Sequence, residues 1–122
     1  MKMKIHRGAL VVAAVAALVC FPLFSGLALA GAPPSSEQHV SEALLHANEA
    51  VAHGKQGHAD ALVQHAEEAL KHAETAGLGM KNTHLDEGVK HLKEAVAHGK
   101  AGHADVATQH AEEGVTHLSE VK

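Results

Sequence analysis

Histidines recur every seven residues in four sets of three, and this repeat constrains the fold more than any other feature of the chain. Seven residues are close to two turns of α-helix, so the histidines of one set lie on one face of one helix. The spacing therefore predicts four helices, each with a line of imidazoles along it. The sets contain twelve of the thirteen histidines: His39, His46 and His53; His58, His65 and His72; His84, His91 and His98; and His103, His110 and His117.

The pattern is also duplicated as a whole. Residues 39–72 match residues 84–117 at a shift of 45 positions, with 20 identities among 34 positions. All six histidines of the segment are among these identities. A repeat of this length is typical of one structural unit used twice, and we interpret the unit as a helical hairpin.

Apolar residues follow each histidine at fixed distances. Val40, Ala43 and Leu44 stand one, four and five places after His39, and the same positions are mostly apolar in the other heptads. They form one stripe of an amphipathic helix. The histidines border that stripe, so we expect them at the edge of the core, between buried and free surface positions.

Glycines and capping residues indicate where the helices end. Gly54 and Gly57 bracket a short turn that recurs at Gly99 and Gly102, and the glycines within 77–79 are expected to end the second helix. Short connections make consecutive helices antiparallel. The predicted fold is therefore all-α, an up-down antiparallel four-helix bundle built from two repeated helical hairpins. The helices are predicted near residues 37–53, 58–76, 82–98 and 103–120.

The first thirty residues have a different composition from the rest. Lys2, Lys4 and Arg7 precede the apolar run 9–24, and small residues at 28 and 30 form a cleavage site. We interpret residues 1–30 as a secretory signal peptide and residues 31–122 as a His-rich metal-binding domain in the periplasm, with no stable membrane association after cleavage. A retained membrane anchor is the alternative, but the run is short for a span.

Residues 31–122 contain 7 Lys, no Arg, 14 Asp plus Glu, no Cys and no aromatic residue other than His. This composition argues against nucleic acid as a partner and favours attraction of cations. A core of Ala, Leu and Val is weak in a domain this small, so we expect bound metal to stabilise the fold. We expect a monomer.

Imidazole is the commonest side-chain ligand of transition metals. Two histidines seven residues apart are separated by about 10.5 Å along a helix and cannot share an ion. A glutamate three residues after a histidine is one further source of ligands. The glutamates at this spacing are Glu42, Glu49, Glu68, Glu87, Glu94, Glu113 and Glu120.

The neighbouring helix is the other source of ligands. Folding at the glycine turns would pair histidines within each hairpin. Pairing between the second and third helices, which would bring His72 level with His84, is the alternative. The tight turns favour pairing within the hairpins. The predicted pairs are His39 with His72, His46 with His65, His53 with His58, His84 with His117, His91 with His110, and His98 with His103.

Imidazole and carboxylate ligands without thiolate suit Cu(II), Ni(II) and Zn(II), and Cu(II) is bound most tightly in the usual order of affinities. No Glu-x-x-His pair, His-Glu-x-x-His motif or Cys-x-x-Cys-His motif occurs. We therefore expect a binding protein and not an enzyme. A pH-responsive or metal-assembled structural protein is the alternative, since the same histidines change charge between pH 5 and 8.

The signal segment, the four predicted helices and the repeats HANEA (46–50), HAEEA (65–69) and HLKEA (91–95) resemble the periplasmic small metal-binding protein family. The resemblance extends over the whole of 31–122, and the twelve heptad histidines match the family pattern. It implies a four-helix bundle that binds several divalent ions, copper preferred, with a part in copper tolerance or storage. The carboxylates match less regularly, because five histidines lack a Glu at the third following position: His53, His58, His72, His98 and His103.

Overall fold

Four α-helices follow one another along the chain. The computed structural model describes residues 33–122, which belong to one compact unit. The predicted signal peptide, residues 1–30, lies outside the described residues. The helices are α1 (Ser36–Lys55), α2 (Ala59–Gly79), α3 (Thr83–Lys100) and α4 (Ala104–Ser119).

Side-chain caps start the first helix of each hairpin. Ser35 caps α1: Gln38 N donates to Ser35 Oγ at 3.2 Å, and Ser35 N donates to Gln38 Oε1 at 2.7 Å. Asn82 caps α3 by accepting from the backbone N–H groups of His84 and Leu85. The sequence offers Ser35 or Ser36 as the first cap and Asn82 or Thr83 as the second, and the structure uses Ser35 and Asn82, whose side chains satisfy N–H groups that have no partner inside the helix.

The second helix is longer than predicted. It was expected to end near residue 76, yet it continues to Gly79, and Met80 N donates to Ala76 O at 3.1 Å. Two glycines cost a helix only about 1 kcal/mol each. Ala76 is fully buried, so the last turns of α2 are held by the core as well as by local preference.

Only one glycine of each predicted turn pair belongs to the turn. Gly57 and Gly102 have positive φ, 76° and 82°, which glycine adopts without steric cost. Gly54 instead lies inside α1 and is buried. A Cβ there would collide with Thr108 Oγ1 and come within 2.6 Å of Leu62 Cδ1. This glycine is therefore required by helix packing, which a local turn pattern cannot reveal.

The helices form a closed ring in which each packs against two neighbours: α1 against α2 and α4, and α3 against α2 and α4. Two equivalent ion pairs join the hairpins, Lys55 to Glu112 at 2.9 Å and Lys100 to Glu67 at 2.6 Å. Histidine contacts at both ends of each hairpin show that its two helices are antiparallel. The predicted all-α bundle is confirmed.

The core has the expected small side chains, and its packing differs between the hairpins. A Cβ on Gly88 would lie 3.1 Å from Leu118 Cδ2, and one on Gly114 would lie 3.3 Å from Leu92 Cδ2. Two Gly–Leu combinations in the second hairpin thus stand where the first hairpin has four alanines, and each leucine occupies the space that the missing Cβ of a glycine leaves. The four alanines are Ala43, Ala47, Ala69 and Ala73.

Candidate metal centre

The twelve heptad histidines lie at the edge of the core, as the sequence predicted. Ten of them are half-buried, and only His58 and His103, next to the glycine turns, are exposed. The buried apolar stripe of each helix holds its backbone against the bundle, and the histidines therefore stand along the seams where paired helices meet.

The imidazoles form two continuous columns, one in each hairpin, which we call the first and second columns. Within a column the rings alternate between the two helices. Adjacent ring centroids are 5.1 to 5.9 Å apart in the first column and 5.3 to 5.9 Å apart in the second. The first column runs His39, His72, His46, His65, His53, His58, and the second runs His84, His117, His91, His110, His98, His103.

All six predicted pairs, which we call rungs, are formed within the hairpins. Within residues 33–122 no histidine of α2 stacks on one of α3, so the alternative seam is not used. The sequence reasoning missed the diagonal neighbours. His46 also stacks on His72 at 5.7 Å, and His53 on His65 at 5.1 Å. The stagger between the two helices decides these contacts.

The middle rung of the first column joins two imidazoles through one carboxylate. Glu49 Oε2 lies 3.0 Å from His46 Nδ1 and 2.9 Å from His65 Nδ1. One ligand atom from each of the three residues lies within 4.8 Å of the others. A glutamate of α1 thereby serves a histidine of its own helix and one of α2.

The middle rung of the second column has two carboxylates. Glu113 Oε2 lies 2.9 Å from His91 Nδ1 and 3.2 Å from His110 Nδ1. Glu94 Oε2 lies 3.1 Å from His110 Nδ1 and 3.6 Å from His91 Nδ1. Each carboxylate therefore spans the two helices, and one ligand atom each of His91, Glu94 and His110 lies within 4.8 Å of the others.

The rungs at the open ends of the hairpins bring two ring nitrogens together. The Nδ1 atoms of His39 and His72 are 3.2 Å apart, and those of His84 and His117 are 3.5 Å apart. Glu120 Oε2 lies 3.3 Å from His84 Nε2, although the sequence had placed this glutamate beside His117.

The rungs next to the turns pair His53 with His58 and His98 with His103, with 5.9 Å between ring centroids in both. No carboxylate of the described residues lies within 4.0 Å of their nitrogens. This agrees with the absence of a glutamate three residues after any of these four histidines.

Three further predicted glutamate ligands, besides Glu120, lie elsewhere than expected. Glu42 groups with His46 and His72, within 4.8 Å, and not with the histidine three residues before it. Glu68 is 3.9 Å from Lys71 Nζ, and Glu87 is 3.6 Å from Lys90 Nζ. In both cases the glutamate contacts the lysine three residues after it and not the histidine three residues before it. The positions of these lysines in the sequence could have indicated that the two glutamates would turn away from the histidines.

The middle rungs fit a divalent ion. An ion with bonds of about 2.0–2.1 Å holds neighbouring ligand atoms about 3 Å apart, which is the separation found between the Glu49 carboxylate and its two imidazoles. In the second column the Nδ1 atoms of His91 and His110 are buried without a hydrogen-bond partner. Nitrogens in this state close to carboxylate oxygens favour a cation between them.

Paired imidazoles and carboxylates along the seams of a four-helix bundle define a helical metal-binding protein. The model of the small metal-binding protein family matches residues 8–121, and the chain belongs to this family. A search among curated proteins found no match. Among residues 33–122, no helix combines the length and apolar character needed to span a membrane.

Proposed function

We propose that this protein binds several divalent transition-metal ions at once, with Cu(II) preferred, and sequesters or stores them in the periplasm. The observation that carries the proposal is the pair of imidazole columns, each with carboxylates 2.9 to 3.2 Å from ring nitrogens at its middle rung. Six similar rungs along two seams are better suited to binding several ions than to holding a single ion in one exact geometry.

The ligand chemistry supports Cu(II) over the other divalent ions. Neutral imidazoles and carboxylates bind Cu(II) more tightly than Ni(II) or Zn(II) in the usual order. Cu(I) prefers thiolate and thioether ligands, and residues 31–122 contain no cysteine and one methionine, Met80. The rungs are half-buried and open to solvent, so water can complete the coordination of a bound ion. We therefore expect selectivity to follow the intrinsic affinity of each ion for the ligands and not a rigid coordination geometry.

Four hydroxyl groups of the bundle support binding over catalysis. Thr75, Thr108 and Thr116 each donate to a backbone carbonyl four residues earlier, and Ser119 donates to the carbonyl of Thr116. A serine or threonine nucleophile needs a base within hydrogen-bonding distance, and these four hydroxyls have carbonyl partners instead.

Native mass spectrometry of residues 31–122 titrated with Cu(II), Ni(II) and Zn(II) tests the proposal. We expect several bound Cu(II) ions at saturation and displacement of Zn(II) and Ni(II) by Cu(II). A variant with the six histidines of the second column replaced by Gln is the control and should lose about half of the ions. At most one bound ion at saturating Cu(II) would contradict the proposal.

The cellular location and the alternative function have separate tests. The exported form should begin at Gly31, as read by N-terminal sequencing of a periplasmic extract. Sedimentation of the loaded domain separates storage from metal-driven assembly: a monomer that holds several ions supports storage, and growth into larger species with added Cu(II) supports the structural alternative.

A further inference from the structure

The two middle rungs differ although their histidines and glutamates are equivalent in the duplication. Glu68 and Glu113 occupy the same repeat position, 45 residues apart. Glu113 contacts both imidazoles of its rung, at 2.9 and 3.2 Å. Glu68 contacts Lys71 at 3.9 Å and has no histidine nitrogen of the described residues within 4.0 Å. The same carboxylate is thus turned toward one rung and away from the other.

The residue three places after the glutamate accounts for the difference. It is Lys71 in α2 and Thr116 in α4. The lysine ammonium attracts Glu68 along the helix surface, since residues three apart are neighbours there. Thr116 carries no charge, and its hydroxyl donates to Glu112 O at 3.0 Å. Glu113 therefore has no competing cation at this position.

The hydrogen bonding of the imidazoles differs in the same sense. His46 Nδ1 donates to Glu49 Oε2 at 3.0 Å, and an ion at that nitrogen must replace this bond. The Nδ1 atoms of His91 and His110 are buried, and their contacts with Glu113 at 2.9 Å and Glu94 at 3.1 Å lack hydrogen-bond geometry, so an ion there would replace no aligned hydrogen bond. The histidines of the second rung are also less exposed, 17 and 23% against 25 and 30%, which reduces screening by water.

The first column also divides its ligands between two positions. His46 belongs both to the group with Glu49 and His65 and to the diagonal group with Glu42 and His72. An ion held by one group makes His46 less available to the other. In the second column the corresponding Glu87 contacts Lys90 at 3.6 Å, and among the described residues no diagonal group forms there. His91 is therefore committed to its middle rung.

We propose that the first divalent ion binds at the rung of His91, Glu94, His110 and Glu113, and that Lys71 is the residue that keeps the equivalent rung of the first hairpin weaker. This rests on the proposed function, because it assumes that the rungs hold ions. The second rung offers two imidazoles and two carboxylates that contact them. The first rung offers two imidazoles and one carboxylate, and its second glutamate contacts Lys71 instead.

Paramagnetic line broadening locates the first ion. Cu(II) is added to residues 31–122 well below one equivalent, and the amide signals of the four helices are recorded. We expect signals around His91 and His110 to broaden before those around His46 and His65. Equal broadening of both rungs, or broadening of the first column first, would overturn the proposal.

Reciprocal variants test the role of Lys71. Lys71→Thr should raise the Cu(II) affinity of the first middle rung about tenfold, which is the lower end of the effect of residues that orient metal ligands. The amide signals around the two middle rungs should then broaden together. Thr116→Lys should weaken the second rung by a similar factor. Lys93→Thr is the matched control: it removes the same charge from an exposed lysine whose ammonium pairs with Glu74 at 2.9 Å and with no glutamate of either rung.

The two proposals fail in different ways. A domain that binds no Cu(II) at all contradicts the proposed function. A domain that binds several ions without preference between the columns, or in which Lys71→Thr changes affinity no more than Lys93→Thr does, contradicts only the unequal loading. Circular dichroism of each variant confirms that the helices are intact.

Discussion

Glu49 of α1 reaches across the hairpin to His65 of α2, with Oε2 2.9 Å from Nδ1. The same oxygen lies 3.0 Å from His46 on its own helix. One carboxylate thus connects two imidazoles that are 19 residues apart in the chain. An ion bound here would join α1 to α2 and so couple metal binding to the stability of the hairpin.

Replacing Glu49 by Gln should weaken Cu(II) binding at the first middle rung by at least about tenfold, because the rung loses its charged ligand and keeps both imidazoles. Competition titration against a coloured chelator measures the change. Glu67→Gln is the control, since Glu67 contacts Lys100 and no histidine. Equal effects of the two substitutions would show that only net charge matters.

Histidines of one rung should behave as one site. His46→Ala should remove the middle site of the first column, and adding His65→Ala should cost little more, because His65 has already lost its partner. His46→Ala combined with His91→Ala should instead remove two sites. Ion counts from native mass spectra distinguish these outcomes. A metal site shared between α2 and α3 would make His65 and His91 behave as the pair.

Bound metal should be released as the pH falls. An ion and a proton compete for the same imidazole nitrogen, so the metal affinity is full when the imidazoles are neutral and is lost as acid protonates them. Dialysis over a series of pH values, with metal analysis of the retained protein, follows the release. Retention of Cu(II) at about pH 4.5, below the range in which histidine is neutral, would point to ligands other than histidine.

Metal should raise the melting temperature strongly. An ion present at 100 times its Kd adds about 2.7 kcal/mol at a single site, and 1 kcal/mol shifts Tm by about 4–8 °C in a domain of this size. Thermal unfolding followed by circular dichroism, with Cu(II) and then with excess chelator, measures the shift. An unchanged Tm at saturation would mean that ions do not join the helices in the native state.

Gly54→Ala should destabilise the bundle by about 1–3 kcal/mol, because the added methyl group overlaps Thr108 and Leu62. Gly77→Ala is the matched control. It is also a helical glycine, but the nearest atom to its added Cβ is Leu85 Cδ2 at 4.0 Å, so helix propensity should make this change neutral or stabilising. Chemical denaturation gives both values. Similar destabilisation by both changes would refute the packing role of Gly54.

The sequence by itself predicted the four helices and favoured the pairing of histidines within hairpins. These depend on local or periodic features: seven-residue spacing puts His39 and His46 on one helix face, and Gly57 allows a turn that only a residue with positive φ can make. Antiparallel pairing then follows from the shortness of the connection. For these features, knowledge of distant contacts was not needed.

The tertiary structure decided which glutamates reach the neighbouring helix and which small residues are essential. Glu68 and Glu113 follow the same four residues, Gln-His-Ala-Glu, yet one contacts Lys71 and the other His91. Gly54 looked like a turn residue, and its requirement comes from Thr108 on another helix. Helical periodicity specifies the face on which a side chain stands, whereas its partners depend on the stagger of neighbouring helices and on competition among nearby charges.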